Sequence, residues 1–333
     1  MTDLISILMP VKNASAFLTD SIDSIINQSY SNWELIAVDD HSDDHSRTVI
    51  EQYAQKDQRI QCIVNDGSGI ISALQTAYAL STGDLITRMD ADDQMATDKL
   101  SVLHNNLVTH GPGYIAVGGV KYFSDDILGD GYKRYELWLN QLTATGENFT
   151  ELYRECVIPS PCWMMYREDL ERIGAFDSEI YPEDYDLAFR MYQGELEVIP
   201  CDQQIHLWRD HPDRSSRNDP NYLDNRFISL KCHHFMNYNF EDRPLIVWGA
   251  GKKGKSIIQH LKKQLPDLYW ITENENKIDK EIYGITVQSP ELITELFLPQ
   301  VIVAIANPEE QAEVEQRLFD MGLYPMVDYF LFC

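Results

Sequence analysis

Short apolar runs and helix-spaced apolar positions alternate through the amino-terminal part of the chain. Ile5 to Met9 is an apolar run stopped by Pro10, the pattern of a strand buried on both faces of a parallel sheet. Phe17, Leu18, Ile22, Ile25 and Ile26 follow at helical spacing. Leu35 to Val38 predicts a second strand, closed by Asp39-Asp40, and Ile60 to Val64 a third, followed by Asn65-Asp66-Gly67-Ser68-Gly69. Leu74, Ala77, Tyr78 and Leu80 predict another helix, and Leu85 to Met89 a fourth strand ending in Asp90-Ala91-Asp92-Asp93. Strands alternating with helices predict an α/β fold with an open, mostly parallel sheet. Such sheets bind ligands beyond the carboxyl ends of their strands. Asn13, Asp39-Asp40 and Asp90 to Asp93 stand at three of these four ends, so acidic residues lie where a site belongs.

From about residue 104 to 182 the pattern is less regular and rich in aromatics: Tyr132, Tyr135, Trp138, Tyr153, Trp163 and Tyr166. Two readings stay open for them, a stacking surface for a sugar ring and a core for irregular strands. Pro182-Glu183-Asp184 then precedes an amphipathic helix carrying Leu187, Phe189 and Met191. Residues 212–226 are polar and loop-like. A second α/β unit begins near Arg243, with strands expected at Leu245 to Trp248, Tyr269 to Ile271, Val301 to Ala304 and Pro325 to Val327. The expected domains are therefore 1–240 and 243–333.

Composition narrows the function. Hydrophobic residues at 44% and charged residues at 24% of 333 residues exclude a disordered or collagen-like chain. Lys plus Arg number 27 against 53 Asp plus Glu, a formal net charge of −26. That surface repels phosphate backbones and anionic lipid, so nucleic acid is not expected as a partner and membrane contact is peripheral at most. No apolar stretch approaches a membrane span, and Met1-Thr2-Asp3-Leu4 lacks the basic start of a signal peptide. The six cysteines form no CxxC pair and read as reduced thiols, so a cytoplasmic location is expected.

Asp90-Ala91-Asp92-Asp93 packs like charges so closely that a nearby cation is an economical explanation, a solvated acidic turn being the alternative. Carboxylate oxygens suit Mg²⁺ or Mn²⁺, and Mg²⁺ typically binds one or two carboxylates plus substrate phosphates. The cluster is the third piece of an ordered set. Ile5-Ser6-Ile7-Leu8-Met9-Pro10-Val11-Lys12-Asn13, then Leu35-Ile36-Ala37-Val38-Asp39-Asp40-His41-Ser42-Asp43-Asp44, then Gly83-Asp84-Leu85-Ile86-Thr87-Arg88-Met89-Asp90-Ala91-Asp92-Asp93 resembles the family 2 glycosyltransferases of the GT-A fold. The resemblance covers roughly residues 1–235. It includes the Gly-rich segment Asn65 to Gln75, although Gln75 stands where that family usually has Asn and Ala77 where it has Gly.

The resemblance implies a GT-A (Rossmann-like nucleotide-diphospho-sugar transferase) domain and a role for each matched position. Backbone at Pro10 and Val11 would line the nucleotide pocket with help from Asn13. Asp39 would accept the uracil N–H, Asp90 would face the ribose or sugar, and Asp92 would bind Mn²⁺ or Mg²⁺. Arg88 would bond either to the donor or to its acidic neighbours. Pro182-Glu183-Asp184-Tyr185-Asp186-Leu187 matches the family's downstream Glu-Asp motif. Inverting transfer needs a base to take the acceptor hydroxyl's proton, so Asp184, kept ionised by its helix start, would be the base and Glu183 would orient the acceptor. Trp208-Arg209-Asp210-His211-Pro212-Asp213-Arg214-Ser215-Ser216 looks like the segment that closes over the donor diphosphate. There His211 would bind the metal or a phosphate and Arg214 would neutralise phosphate charge.

Gly249, Gly251 and Gly254 make a GxGxxG between an expected strand and helix, with Glu273 near the place of a ribose contact. The segment resembles small Rossmann-like modules appended to sugar-processing enzymes. Nucleotide binding, docking and a purely structural role stay open for it. The leading expectation is a metal-dependent, inverting glycosyltransferase that moves a sugar from a nucleotide-sugar, a UDP-sugar first, to a glycan or lipid-linked hydroxyl in cell-surface polysaccharide assembly. A homo-oligomer is left open. A nucleotidyltransferase is the competing enzyme, but it would want a Gly-rich basic loop where this chain has Pro10-Val11-Lys12-Asn13-Ala14. A nucleotide-binding regulatory protein, the other alternative, leaves Asp92 and Asp184 unexplained.

Overall fold

The computed structural model describes residues 3–124, 128–212, 214, 217, 227–265 and 267–333. The chain divides into two compact units, Met1–Phe149 with Val157–Arg214, and Thr150–Cys156 with Ser215–Cys333.

The first unit is built on strands β1 (Ile5–Val11), β2 (Trp33–Asp39), β3 (Ile60–Val64) and β4 (Leu85–Arg88), interleaved with helices α1 (Leu18–Ile26), α2 (Ser46–Ala54) and α3 (Ile70–Leu80). Two further strands, β5 (Gln94–Met95) and β6 (Tyr114–Val117), flank helix α4 (Lys99–His110). Then come β7 (Gly119–Phe123), α5 (Asp130–Thr145), β8 (Trp163–Tyr166), α6 (Arg167–Arg172), α7 (Glu183–Gln193), β9 (Glu197–Ile199) and β10 (Gln204–Arg209). The main sheet has the order β3-β2-β1-β4-β8-β6-β9, and its first four strands run parallel. β8 runs antiparallel to both neighbours. A second sheet has the order β5-β10-β7.

Strand alternation explains why the expected apolar runs are continuous. Ile5, Ile7 and Met9 of β1 share one core with Leu18, Ile22 and Ile25 of α1 and with Leu100, Leu103 and Leu107 of α4. The intervening residues face the other way, where α3 lies on β1 and β2. Both faces are covered, so neither face of β1 tolerates a polar run. β1 pairs in register with β2 from Ile5↔Trp33 to Val11↔Asp39, which brings the carboxyl ends of both strands level.

The aromatics of the irregular stretch divide. Trp163 is buried in the main sheet, while Tyr135 and Trp138 of α5 pack beside Trp208 of β10. Tyr153 belongs to the second unit, stacked on Phe332 with ring centroids 5.0 Å apart.

The second unit carries a sheet of order β13-β14-β12-β11-β15-β16, where β11 is Leu245–Trp248, β12 Leu268–Ile271, β13 Glu281–Ile282, β14 Ile285–Gln288, β15 Gln300–Val303 and β16 Tyr329–Leu331. The last strand differs from the expected Pro325 to Val327. Met326 sits at φ 62°, which breaks extended backbone, and Pro325 makes only an isolated bridge to Tyr329. Tyr329-Phe330-Leu331 supplies the buried, extended run instead. The Gly-rich turn after β11 follows the expected logic. Gly249 has φ 123°, and a Cβ on Gly254 would lie 1.9 Å from the Gly249 carbonyl oxygen, so only glycine lets the helix Lys252–Leu261 start this close to β11. Glu273 is engaged by Arg317 at 3.3 Å. The helix Phe227–His234 packs against Lys252–Leu261, within the second unit. No helix among the described residues is long and apolar enough to cross a membrane.

Candidate active site

The carboxyl ends of β1, β2 and β4 lie side by side, and the chain there is pinned by hydrogen bonds from short polar side chains. After β1, Asn13 takes a left-handed turn with φ 51°. Its Oδ1 accepts from the Asp43 amide at 2.8 Å, and its own amide donates to Ser42 Oγ at 3.0 Å. The Ala14 amide donates to Ser46 Oγ at 2.8 Å and the Ser15 amide to Asp44 Oδ2 at 3.0 Å. Burial pushes the Asp44 carboxyl up, but hydrogen bonds from Ser46 and Ser15 outweigh it and hold the group down at about 2. Asn13 therefore ties the loop after β1 to the loop after β2.

Asp39 ends β2 and Asp40 follows it, and both are 3% exposed. Asp40 accepts from Asn65 Nδ2 at 2.7 Å, from the Gly69 amide at 3.0 Å and from Lys12 Nζ at 3.1 Å. Burial raises its pKa, yet Asn65, Lys12 and Gly69 outweigh burial and lower it. The carboxylate thus staples the Gly-rich segment onto the sheet. Asp39 Oδ1, by contrast, is buried and has no hydrogen-bond partner among the described residues. A buried carboxylate oxygen left unpaired is costly, so this atom fits a ligand donor.

The end of β4 is organised by Arg88, which is 4% exposed. Its guanidinium contacts Asp90 Oδ1 at 3.1 Å and donates to Glu183 Oε1 at 2.8 Å. Burial alone would favour the neutral form, but the charges of Asp90, Glu183 and Asp184 overrule it and raise the pKa further. One arginine thereby joins the acidic cluster to the first turn of α7.

Asp184 accepts from the Tyr185 amide at 2.8 Å and from Ser160 Oγ at 3.4 Å. The sequence suggests a carboxylate kept ionised by its helix start; the structure corrects this. Burial first, then the charge of Glu183, pushes Asp184 up to about 7, against the opposing pull of Arg88. A carboxyl in that range takes and releases protons near neutrality.

In the acidic turn after β4, Asp92 Oδ2 lies 2.9 Å from His211 Nε2. That is a hydrogen-bond distance, and it is also about the 3 Å that separates two donors held at about 2.1 Å by one octahedral ion, so the pair is compatible with Mg²⁺ or Mn²⁺. Among the described residues no group of three or more His, Cys, Asp or Glu is arranged to hold a metal. Arg214 lies over the rings of Trp208 at 4.6 Å and Tyr122 at 5.4 Å, which stack on each other at 5.0 Å. The neighbouring Asp213, Ser215 and Ser216 lie outside the described residues.

Sequence reasoning named Asp93 only as a member of the acidic cluster and gave no role to Lys99, Ser160 or His206, which the structure packs beside the candidate site. Asp93 is 1% exposed, lies 2.9 Å from His206 Nε2 and accepts from the Arg209 amide at 2.8 Å. Burial, then Asp92 and Asp90, push its pKa well up. The Asp-Ala-Asp-Asp spacing was a signal for Asp93; the other three carry none, because a lone Lys, Ser or His in an amphipathic segment reads as surface.

The family model described as "Glycosyl transferase family 2" matches residues 6–174, just over half of the chain. The chain belongs to the family 2 glycosyltransferases. It is 27% identical over 215 residues to "Glycosyltransferase GlyA" of Streptococcus pneumoniae, a match covering 62% of this chain and 30% of that protein. It is 36% identical over 110 residues to the Escherichia coli "UDP-Glc:alpha-D-GlcNAc-diphosphoundecaprenol beta-1,3-glucosyltransferase WfgD", covering 31% of this chain and 43% of that protein. The chain thus spans less than half the length of either relative. The crystal structure of S. aureus TarS 1-349 in complex with UDP-GlcNAc superposes with a TM-score of 0.55 at 15% identity, covering 79% of this chain and 73% of that one. At that identity the likeness speaks for the fold, which is the GT-A type the sequence resembles.

Proposed function

We propose that the protein is a metal-dependent, inverting glycosyltransferase that moves a sugar from a UDP-sugar to a hydroxyl of a glycan or lipid-linked acceptor. The observation that carries this reading is the Arg88 bridge, which joins the nearby Asp90 to Glu183, a residue 95 positions beyond the arginine. Donor-side and acceptor-side carboxylates then face one reaction centre within the first unit.

In this reading Pro10, Val11 and Asn13 shape the nucleotide pocket, and Asp39 Oδ1 accepts the uracil N3–H. Asp90 faces the ribose or sugar, with Arg88 fixing its rotamer. Asp92 and His211 hold Mn²⁺ or Mg²⁺, and Arg214 adds positive charge near the diphosphate. A bound ion would supply charge against the diphosphate as it leaves. Asp184 accepts the acceptor hydroxyl's proton while that oxygen attacks the anomeric carbon and the bond from that carbon to the diphosphate oxygen breaks. Glu183 orients the acceptor and, with Arg88, keeps Asp184 in place. Attack opposite the leaving group inverts the anomeric centre. WfgD is named for transfer from UDP-Glc and TarS was crystallised with UDP-GlcNAc, which favours a UDP-sugar. By sequence the catalytic domain is proposed to be 1–240 and the nucleotide-binding-type module 243–333, although the compact first unit itself ends at Arg214 and the helix Phe227–His234 packs with the second.

The test is a screen of nucleotide-sugars for hydrolysis with Mn²⁺, with Mg²⁺ and with chelator. Metal-dependent release of UDP from a UDP-sugar supports the reading. Hydrolysis of nucleoside triphosphates instead would favour a nucleotidyltransferase.

A further inference from the structure

Lys99 is the first residue of α4 and is wholly buried. A buried ammonium is costly unless its protons are directed at acceptors. Lys99 Nζ donates to the Pro161 carbonyl and, at 3.2 Å, meets His206 Nδ1. With Lys99 charged and therefore donor-only, Nδ1 accepts and the ring proton sits on Nε2. That proton points at Asp93 Oδ2, 2.9 Å away. Asp93 Oδ1 holds the Arg209 amide at 2.8 Å, at the end of the strand that leads to His211. In this direction Lys99 is tied to the metal side of the site.

The other direction leads to the acceptor side. Pro161 lies in a turn closed by the Cys162 amide donating to the Pro159 carbonyl at 3.0 Å. Ser160 occupies that turn, 8% exposed, and its Oγ donates to Asp184 Oδ2 at 3.4 Å. We propose that Lys99 is a positioning residue: it fixes the Pro159–Cys162 turn so that Ser160 aims the Asp184 carboxylate at the acceptor. The inference rests on Asp184 being the base. The chain Asp93–His206–Lys99–Pro161–Ser160–Asp184 then links the two halves of the site through packed side chains.

Lys99→Met keeps the aliphatic stem and removes the donor. With Mn²⁺ and UDP-glucose or UDP-N-acetylglucosamine, donor hydrolysis is read as kcat and KM, and UDP affinity by calorimetry. The expected result is a fall in kcat of about 10-fold or more, since small displacements of a reacting group cost that much. KM and the UDP Kd should shift by less than about 3-fold, because the loss falls on the transition state. Ser160→Ala should give the same kcat loss, and the double variant should be no slower than either single one. Multiplying effects in the double variant overturn the proposal, as does a folded Lys99→Met enzyme with wild-type kcat. If Lys99→Met does not fold, Ser160→Ala decides alone: unchanged kcat overturns the proposal. Asp184→Asn, run in parallel, separates the two readings. Wild-type hydrolysis by that variant removes the base and this inference together; an inactive Asp184→Asn beside a fully active Ser160→Ala removes only this inference.

Discussion

Asp39 and Asp40 are neighbours at the end of β2, equally buried, yet among the described residues Asp40 is paired with Lys12, Asn65 and Gly69 while Asp39 Oδ1 has no hydrogen-bond partner. Backbone alternation sends successive side chains to opposite faces. Asp40 meets Lys12, Asn65 and Gly69 on its side. The second carboxylate is a structural staple, and the first is the one proposed to meet the nucleotide.

Asp39→Ala should therefore weaken UDP binding by about 1.5–3 kcal/mol, the worth of a hydrogen bond to a charged acceptor. Titration calorimetry with UDP and Mn²⁺ measures this directly. The wild type should prefer UDP to GDP, and equal affinity for GDP would end the uridine assignment.

Asp92→Asn removes one charge while keeping shape. The Mn²⁺-dependent part of UDP affinity should fall at least ~10-fold, the scale that even an outer-sphere partner of a metal is worth. His211→Ala should act in the same direction. Full metal dependence in both variants would move the ion elsewhere.

As the proposed base, Asp184 should set the pH profile. A base must be deprotonated to work, and this carboxyl is held at about 7. Activity should fall as pH drops through that value, with the acidic limb lost in Asp184→Asn, whose rate should drop ~10²–10⁴-fold. Stability has the opposite sign. A carboxyl whose pKa is raised from 3.8 to about 7 favours the folded state at low pH, and that contribution is lost as pH rises between the two values. Above pH 7 the folded state carries a buried charge, so Asp184→Asn should melt higher than wild type. A lower Tm there would contradict the burial argument.

In the second unit, Gly254→Ala places a methyl against the Gly249 carbonyl, whereas a Cβ on Gly251 meets nothing within 4 Å. Gly254→Ala should destabilise by about 1–3 kcal/mol, and Gly251→Ala should be close to neutral. Thermal melts of the two variants compare them, and equal Tm values would refute the close-packing account of this glycine.

Much of the first unit, and β11 of the second, was legible because the information is local. β3 and β11 fall on the expected residues, and β1, β2 and β4 lie within two residues of them, since each is an apolar run closed by a polar stop. The strand after Met326 was misplaced because a left-handed residue breaks extension without leaving a mark in the hydrophobic pattern. The aromatic stretch could not be divided from sequence, because whether Tyr153 and Trp163 share a core depends on which segments return to them.

By itself the sequence determined the alternation of strands and helices and the placing of carboxylates at strand ends, because side-chain period and the ends of buried runs are written in neighbouring residues. It also carried the ordered motifs that mark the family. Only the tertiary structure decided which carboxylate is already paired and which is open, as with Asp40 and Asp39. It alone brought Arg88 between Asp90 and Glu183, buried Lys99 against His206, and raised Asp184 to about 7. These are properties of distance and burial between residues far apart in the chain, and Coulomb forces and desolvation act on that separation rather than on sequence order.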